Sequence, residues 1–152
     1  MHIVAILTAF LAGAVAFAGQ SVAGELDISV LMGADRGAVT SFEGVNSKGI
    51  GGRPYTYRAC HSPDGILVVQ TQHRATGAKT YTNTGRWRIE GNAVCLEWDN
   101  PEGWNKACHV PREEGENVAM INVTDPTEPP TVGKFTEGIA FDFCKEQFME
   151  TR

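Results

Sequence analysis

The sequence predicts an all-β domain: a small antiparallel up-and-down barrel of seven or eight strands with a short N-terminal helix. Three observations carry this. Gly and Pro are frequent, 17 and 7 of 152 residues, and between them lie short β-branched and aromatic runs, as in strands joined by turns. No long apolar stripe at helical spacing follows residue 36. The runs between residues 53 and 124 also fit one another as consecutive hairpins with coinciding apolar sides. A sheet of that size without covering helices must close or fold over to hide its apolar face and its edges. An open sandwich is the second choice of architecture.

A targeting segment precedes the domain. The stretch from Ile3 to Ala18 is apolar and uncharged, and small-residue cleavage patterns occur at Ala16-Phe17-Ala18 and Ser21-Val22-Ala23. This reads as a secretory signal peptide, although its first residues offer only His2 where Lys or Arg is usual. The run is shorter than the ~20 residues of a spanning helix. Residues 1–23 are therefore expected to be removed, leaving 24–152 as one domain with no stable membrane anchor, periplasmic or secreted. The formal charge of −5, from 13 basic and 18 acidic residues, gives no support for nucleic-acid binding, which favours a basic surplus. The four cysteines would then mature in an oxidising compartment, where an even count reads as two disulfides.

Strand registers choose among the three possible pairings. Gly91-Asn92 lies between two alternating runs and suits a two-residue hairpin, because both residues tolerate positive φ. That turn sets Ile89 opposite Val94, Trp87 opposite Leu96 and Gly85 opposite Trp98 on one apolar face. Arg86 then opposes Glu97, and Arg88 opposes Cys95, on the other face. A second turn at Asn100-Pro101-Glu102-Gly103 sets Trp104 opposite Asp99, Lys106 opposite Glu97 and Cys108 opposite Cys95. Directly opposed cysteines lie within disulfide reach, so Cys95 pairs with Cys108, and Cys60 with Cys144 by elimination.

The remaining elements follow from their turns. Pro63-Asp64-Gly65 is a turn in which Pro sets φ and Gly takes the positive-φ corner. It places Tyr57 opposite Val69 and Ala59 opposite Leu67, with His61 in the turn. Three-residue turns are expected at Ala75-Thr76-Gly77 and at Glu113-Glu114-Gly115. The latter points Ala119, Ile121 and Val123 inward, with His109 opposite Val94 and Ala119. Strands are expected at 53–60, 65–73, 79–90, 93–99, 104–112 and 116–124. Residues 26–32 suit a short helix and 38–42 a first strand, and 125–130 form a Pro-rich exposed loop. Near the end two readings stay open. Ile139, Phe141 and Phe143 alternate as in a strand, whereas Phe141, Cys144 and Phe148 share a helical face.

The run Gly85-Arg86-Trp87-Arg88-Ile89-Glu90-Gly91-Asn92-Ala93-Val94-Cys95-Leu96-Glu97-Trp98, followed by Cys108, resembles a pattern in small exported bacterial proteins of unassigned function. The resemblance spans roughly residues 26–124. It implies a lipocalin-like or calycin-like barrel, with the Gly-x-Trp here standing mid-chain rather than near the first strand. It implies no catalytic residue.

The candidate chemistry is a binding interior. Tyr55, Tyr57, Tyr81, Trp87 and Trp98 share the inward face, with Asn83, Asn105 and His109 as sparse polar contacts. Such a set either packs as core or lines a cavity, since pockets are mostly apolar with a few placed polar groups. The ligand-contacting candidates are Tyr57, Tyr81, Trp87, Trp98, Asn105 and His109. The expected function is a non-enzymatic binding protein holding a small apolar or amphipathic ligand, without a cofactor. A second class is a protein-interaction module, such as a hydrolase inhibitor or an envelope or host-facing factor. It would act through residues 99–104, with Trp104, or through 125–130. A third is a metal handler using His61 and His109, although the His and Cys spacings match no zinc motif. No nucleophile elbow, P-loop, His-Glu-x-x-His or dinucleotide fingerprint is present, so no residue is assigned a catalytic role.

Overall fold

A computed structural model of the protein describes residues 26–47, 53–74, 79–100 and 103–150, and the expected signal peptide lies outside them. The chain forms eight strands: β1 (Thr40–Asn46), β2 (Tyr55–His61), β3 (Ile66–His73), β4 (Thr80–Glu90), β5 (Ala93–Asn100), β6 (Gly103–Glu114), β7 (Asn117–Asn122) and β8 (Thr131–Glu137). Each pairs antiparallel with the next, and β8 returns to pair with β1, so the sheet is a closed up-and-down barrel. Closure removes both sheet edges, as the missing helical cover requires.

The hairpins β4–β5 and β5–β6 have the expected registers: Trp87 opposes Leu96, Arg88 opposes Cys95, and Cys95 opposes Cys108. Both disulfides form as derived, Cys95–Cys108 and Cys60–Cys144. Arg86 and Lys106 oppose Glu97 as expected, while the side-chain charges pair diagonally: Glu97 binds Arg88, and the Lys106 ammonium lies 3.7 Å from Glu90. All of these are partly solvated and contribute little.

Two turns differ from expectation, with different consequences. In β2–β3, Ser62 closes the turn: its N–H donates to the Ile66 carbonyl, and its carbonyl accepts from Gly65, which sits at φ 88°. Strand β2 therefore runs on through His61, and Ala59 opposes Val69 while His61 opposes Leu67. This is a shift of two residues, so every side chain keeps its face. In β6–β7 the turn is the pair Gly115-Glu116, with Gly115 at φ 61° and Glu114 opposite Asn117. The register is three residues away from the expected one, and an odd slip inverts the strand. Met120 and Asn122 reach the interior, Val123 is 47% exposed, and His109 opposes Asn122 rather than Ala119.

The chain ends complete the core. Helix α1 (Ile28–Leu31) is capped by Asp27, whose carboxylate accepts the Ser29 N–H at 2.8 Å. It closes one end of the barrel, with Ile28 and Met32 buried in the cluster that holds Phe42, Leu67, Val69, Trp87 and Leu96. The Asn92 side chain ties this plug to the β4–β5 turn, accepting from Ile28 N–H and donating to the Leu26 carbonyl, both at 3.0 Å. The C-terminal ambiguity resolves as helix α2 (Asp142–Glu150). Cys144 is buried with Cys60 and Val68 on the outer wall, flanked by Phe141, Phe143 and Phe148. The Arg58 guanidinium stands over the Phe141 ring at 5.8 Å.

The two disulfides close loops of very different length, with sequence separations of 84 for Cys60–Cys144 and 13 for Cys95–Cys108. Replacing Cys60 and Cys144 by Ser is expected to lower unfolding free energy by about 4–5 kcal/mol, against about 3 for Cys95 and Cys108. Guanidinium titrations of the two double variants check the order. A larger loss at the short loop would overturn the loop-length account.

Candidate functional site

Eight strands enclose a space just wide enough to be filled by side chains or to hold one small ligand. Here the space is left open. A cavity of about 640 Å³ runs from Met32, above the plug, to the loop of residues 123–130 at the opposite end. That volume lies within the range of small-molecule sites. Glycines let the aromatic part of the wall pack closely. A Cβ on Gly44 would come within 2.8 Å of the Phe42 ring, and Gly133 lies opposite Gly44 where β1 meets β8. The Phe42 and Phe135 rings pack at 4.7 Å beside them.

The wall is mostly apolar, with Phe42, Val69, Leu96, Met120 and Phe135 among its residues. Its polar members stand out by what they lack. Tyr57 Oη, His61 Nδ1, His73 Nδ1 and His109 Nδ1 are buried and have no hydrogen-bond partner, and all four residues line this cavity. Buried polar atoms are ordinarily satisfied, because each one left unpaired costs about 1–3 kcal/mol. Four on one cavity wall is the composition of a site whose partners come from outside the chain.

Burial favours the uncharged form at Tyr57, His61 and His109. Burial lowers the His61 pKa to about 4, opposed by its hydrogen bond to the Thr40 backbone. The ring meets Trp87 edge-on at 5.8 Å. Burial also lowers the His109 pKa, and the nearby Glu128 charge opposes it. The Tyr57 hydroxyl is raised by burial and then by Tyr55. Burial and the Glu128 carboxylate push Tyr55 up to about 12.

Loop 123–130 is a built part of the mouth rather than a simple exposed connection. Asn122 Oδ1 accepts the N–H groups of Thr124 and Asp125 at 2.9 and 2.8 Å. That leaves its Nδ2 to donate to Glu128 Oε2 at 2.5 Å. The other oxygen, Oε1, accepts from Tyr55 Oη at 3.3 Å. Asn46 Nδ2 donates to the Pro129 carbonyl at 2.9 Å and holds the far end of the loop. Glu128 is thus fixed at the cavity mouth by strands β2 and β7.

Of the expected contacts, Tyr57, Trp98 and His109 line the cavity, as does Asn83. Trp87 does not. It is buried in the core, where its indole N–H donates to the Ser62 carbonyl at 2.8 Å. Tyr81 shares the inward alternation but is 53% exposed and does not line the cavity. Asn105 opposes Trp98 in register, and its side chain lies outside the described residues, as does that of Trp104. Sequence reasoning missed His61, His73, Asn122 and Glu128. His73 was legible, since it continues the Leu67, Val69, Thr71 alternation. Asn122 and Glu128 were hidden by the inverted β7 strand.

The metal reading finds no support in this geometry. Among the described residues the cluster with metal-ligand spacing is Glu90 with Cys95 and Cys108, whose sulfurs are consumed in the disulfide. His61, His73 and His109 form no such cluster.

His61 gives the site a pH signature. Unfolded, it takes a proton near pH 6.5; folded, it stays neutral until about pH 4. Its share of stability is therefore complete above pH 6.5 and is lost as pH falls from 6.5 to 4, by about 3 kcal/mol. Urea unfolding of His61→Gln across that window is expected to fall less steeply than wild type by this amount. Equal slopes would show that His61 is not buried neutral.

No known family model matches the chain, and no curated protein matches it.

Proposed function

We propose that the protein is a non-enzymatic binding protein of the periplasm or the extracellular space, whose barrel interior carries a small apolar or amphipathic ligand. One observation carries this reading: among the described residues, the four buried polar side-chain atoms without a partner in the chain all belong to residues on a single cavity of about 640 Å³. An apolar wall supplies affinity by excluding water, and a few placed polar groups orient the guest. The lipocalin-like expectation agrees with the closed eight-stranded architecture and its plugged end. The export reading is supported by the apolar N-terminal run and by two disulfides, which persist in oxidising compartments. A protein-interaction role has less to stand on. Among the described residues, the exposed large apolar side chains Val30, Tyr81, Val123, Ile139 and Met149 are spread over α1, β4, α2 and two connections.

The uncharged fluorophore N-phenyl-1-naphthylamine tests the proposal. It is expected to bind at one site per chain and to accept excitation energy from Trp98, which lines the cavity. Ala107 also lines it and is 9% exposed. Ala107→Phe should fill the interior and weaken the probe by about tenfold or more, with an unchanged far-ultraviolet dichroism spectrum. A folded wild-type protein that takes up no probe, or a filled variant that binds as well, would overturn the reading.

A further inference from the structure

The charge around the cavity restricts what kind of head group it accepts. Glu128 sits at the mouth with each carboxylate oxygen bound once, Oε1 by Tyr55 and Oε2 by Asn122. A carboxylate has about four lone-pair sites, so capacity remains on both oxygens. Among the described residues no Lys or Arg forms an ion pair with it. Lys106 is the one basic residue among those lining the cavity, and its ammonium is directed to Glu90 at 3.7 Å. Arg53, Arg74 and Lys79, on connections at the same end, are exposed and do not line the cavity. Asp125 adds a second carboxylate to the mouth. Tyr55, bound to Glu128, lines the same cavity as Tyr57 and Trp98, and the faces of such rings attract cations.

An anionic head group would enter this mouth against two carboxylates, and the one lining ammonium, that of Lys106, is directed to Glu90. A cationic one would find a fixed carboxylate, aromatic faces and unpartnered ring nitrogens. We infer that the preferred ligand is an amphipathic amine, its ammonium held at the mouth by Glu128 and its apolar body in the barrel. The inference rests on the ligand-binding reading above and adds the sign of the guest's charge to it.

Displacement of N-phenyl-1-naphthylamine by dodecylamine, dodecanol and dodecanoate, all below their micelle concentrations at pH 7.5, tests it with one tail and three heads. Dodecylamine is expected to displace at the lowest concentration and dodecanoate at the highest, with about tenfold between amine and alcohol. Glu128→Gln keeps the side chain's size and a carbonyl acceptor, and should collapse the amine-to-alcohol ratio toward one. Displacement by dodecanoate ahead of dodecylamine would overturn the inference while leaving the binding function standing. An unchanged ratio in Glu128→Gln would do the same. Failure of the fluorophore to bind wild type would overturn both.

Discussion

Everything in this molecule depends on the pairing of β8 with β1. Thr131–Glu137 lies antiparallel along Thr40–Asn46, and that seam turns a meander into a tube. Without it the sheet would expose two edges, and the cavity would lack one wall. The seam is made where side chains are smallest. Gly44 and Gly133 face each other, and a Cβ on Gly133 would lie 2.0 Å from the Glu43 carbonyl oxygen. The backbones coil so closely there that only glycine fits. One sequence feature therefore serves two levels of structure: it permits closure and lets the Phe42 ring pack against the seam.

The strand at the centre of this arrangement is the least legible in the sequence. Its Thr-Val-Gly-Lys-Phe-Thr-Glu has two apolar side chains on opposite faces, and a Pro-rich segment precedes it, so the period-2 signal is absent. By contrast, β4, β5 and β6 carry matched alternation, a Gly-Asn turn and opposed cysteines, and their registers and both disulfides could be derived. The failures were turns. The Pro-Asp-Gly turn is tightened by Ser62, which no propensity indicates, and this converts His61 from a turn residue to a buried wall residue. Placing the next turn at Glu113-Glu114-Gly115 instead of Gly115-Glu116 was enough to turn Asn122 away from the site. Tyr81 failed for another reason: alternation assigns a face but cannot say where along a strand the barrel ends.

The site is stabilised by other parts of the fold rather than by its own contacts. Tyr57 Oη and the Nδ1 atoms of His61, His73 and His109 gain no hydrogen bond within the chain, so these atoms do not hold it folded. The stabilising contributions lie around the cavity rather than in it: the α1 plug under Met32, the Trp87–Ser62 hydrogen bond and the two disulfides. Such a scaffold can enclose a cavity because its walls are secured from outside.

The two ends of the barrel are unequal. At the plugged end, β4–β5 and β6–β7 turn in two residues with Gly91 and Gly115 at positive φ, and Ser62–Gly65 joins β2 to β3. At the mouth, residues 123–130 make a longer connection between β7 and β8. Tight turns that set register tolerate little change, whereas longer surface loops accept insertion and substitution readily. Natural or laboratory evolution can therefore redesign the entrance independently of the folding frame. A descendant of this chain could acquire a new guest by changing Glu128 and its neighbours, with every strand register kept as it is.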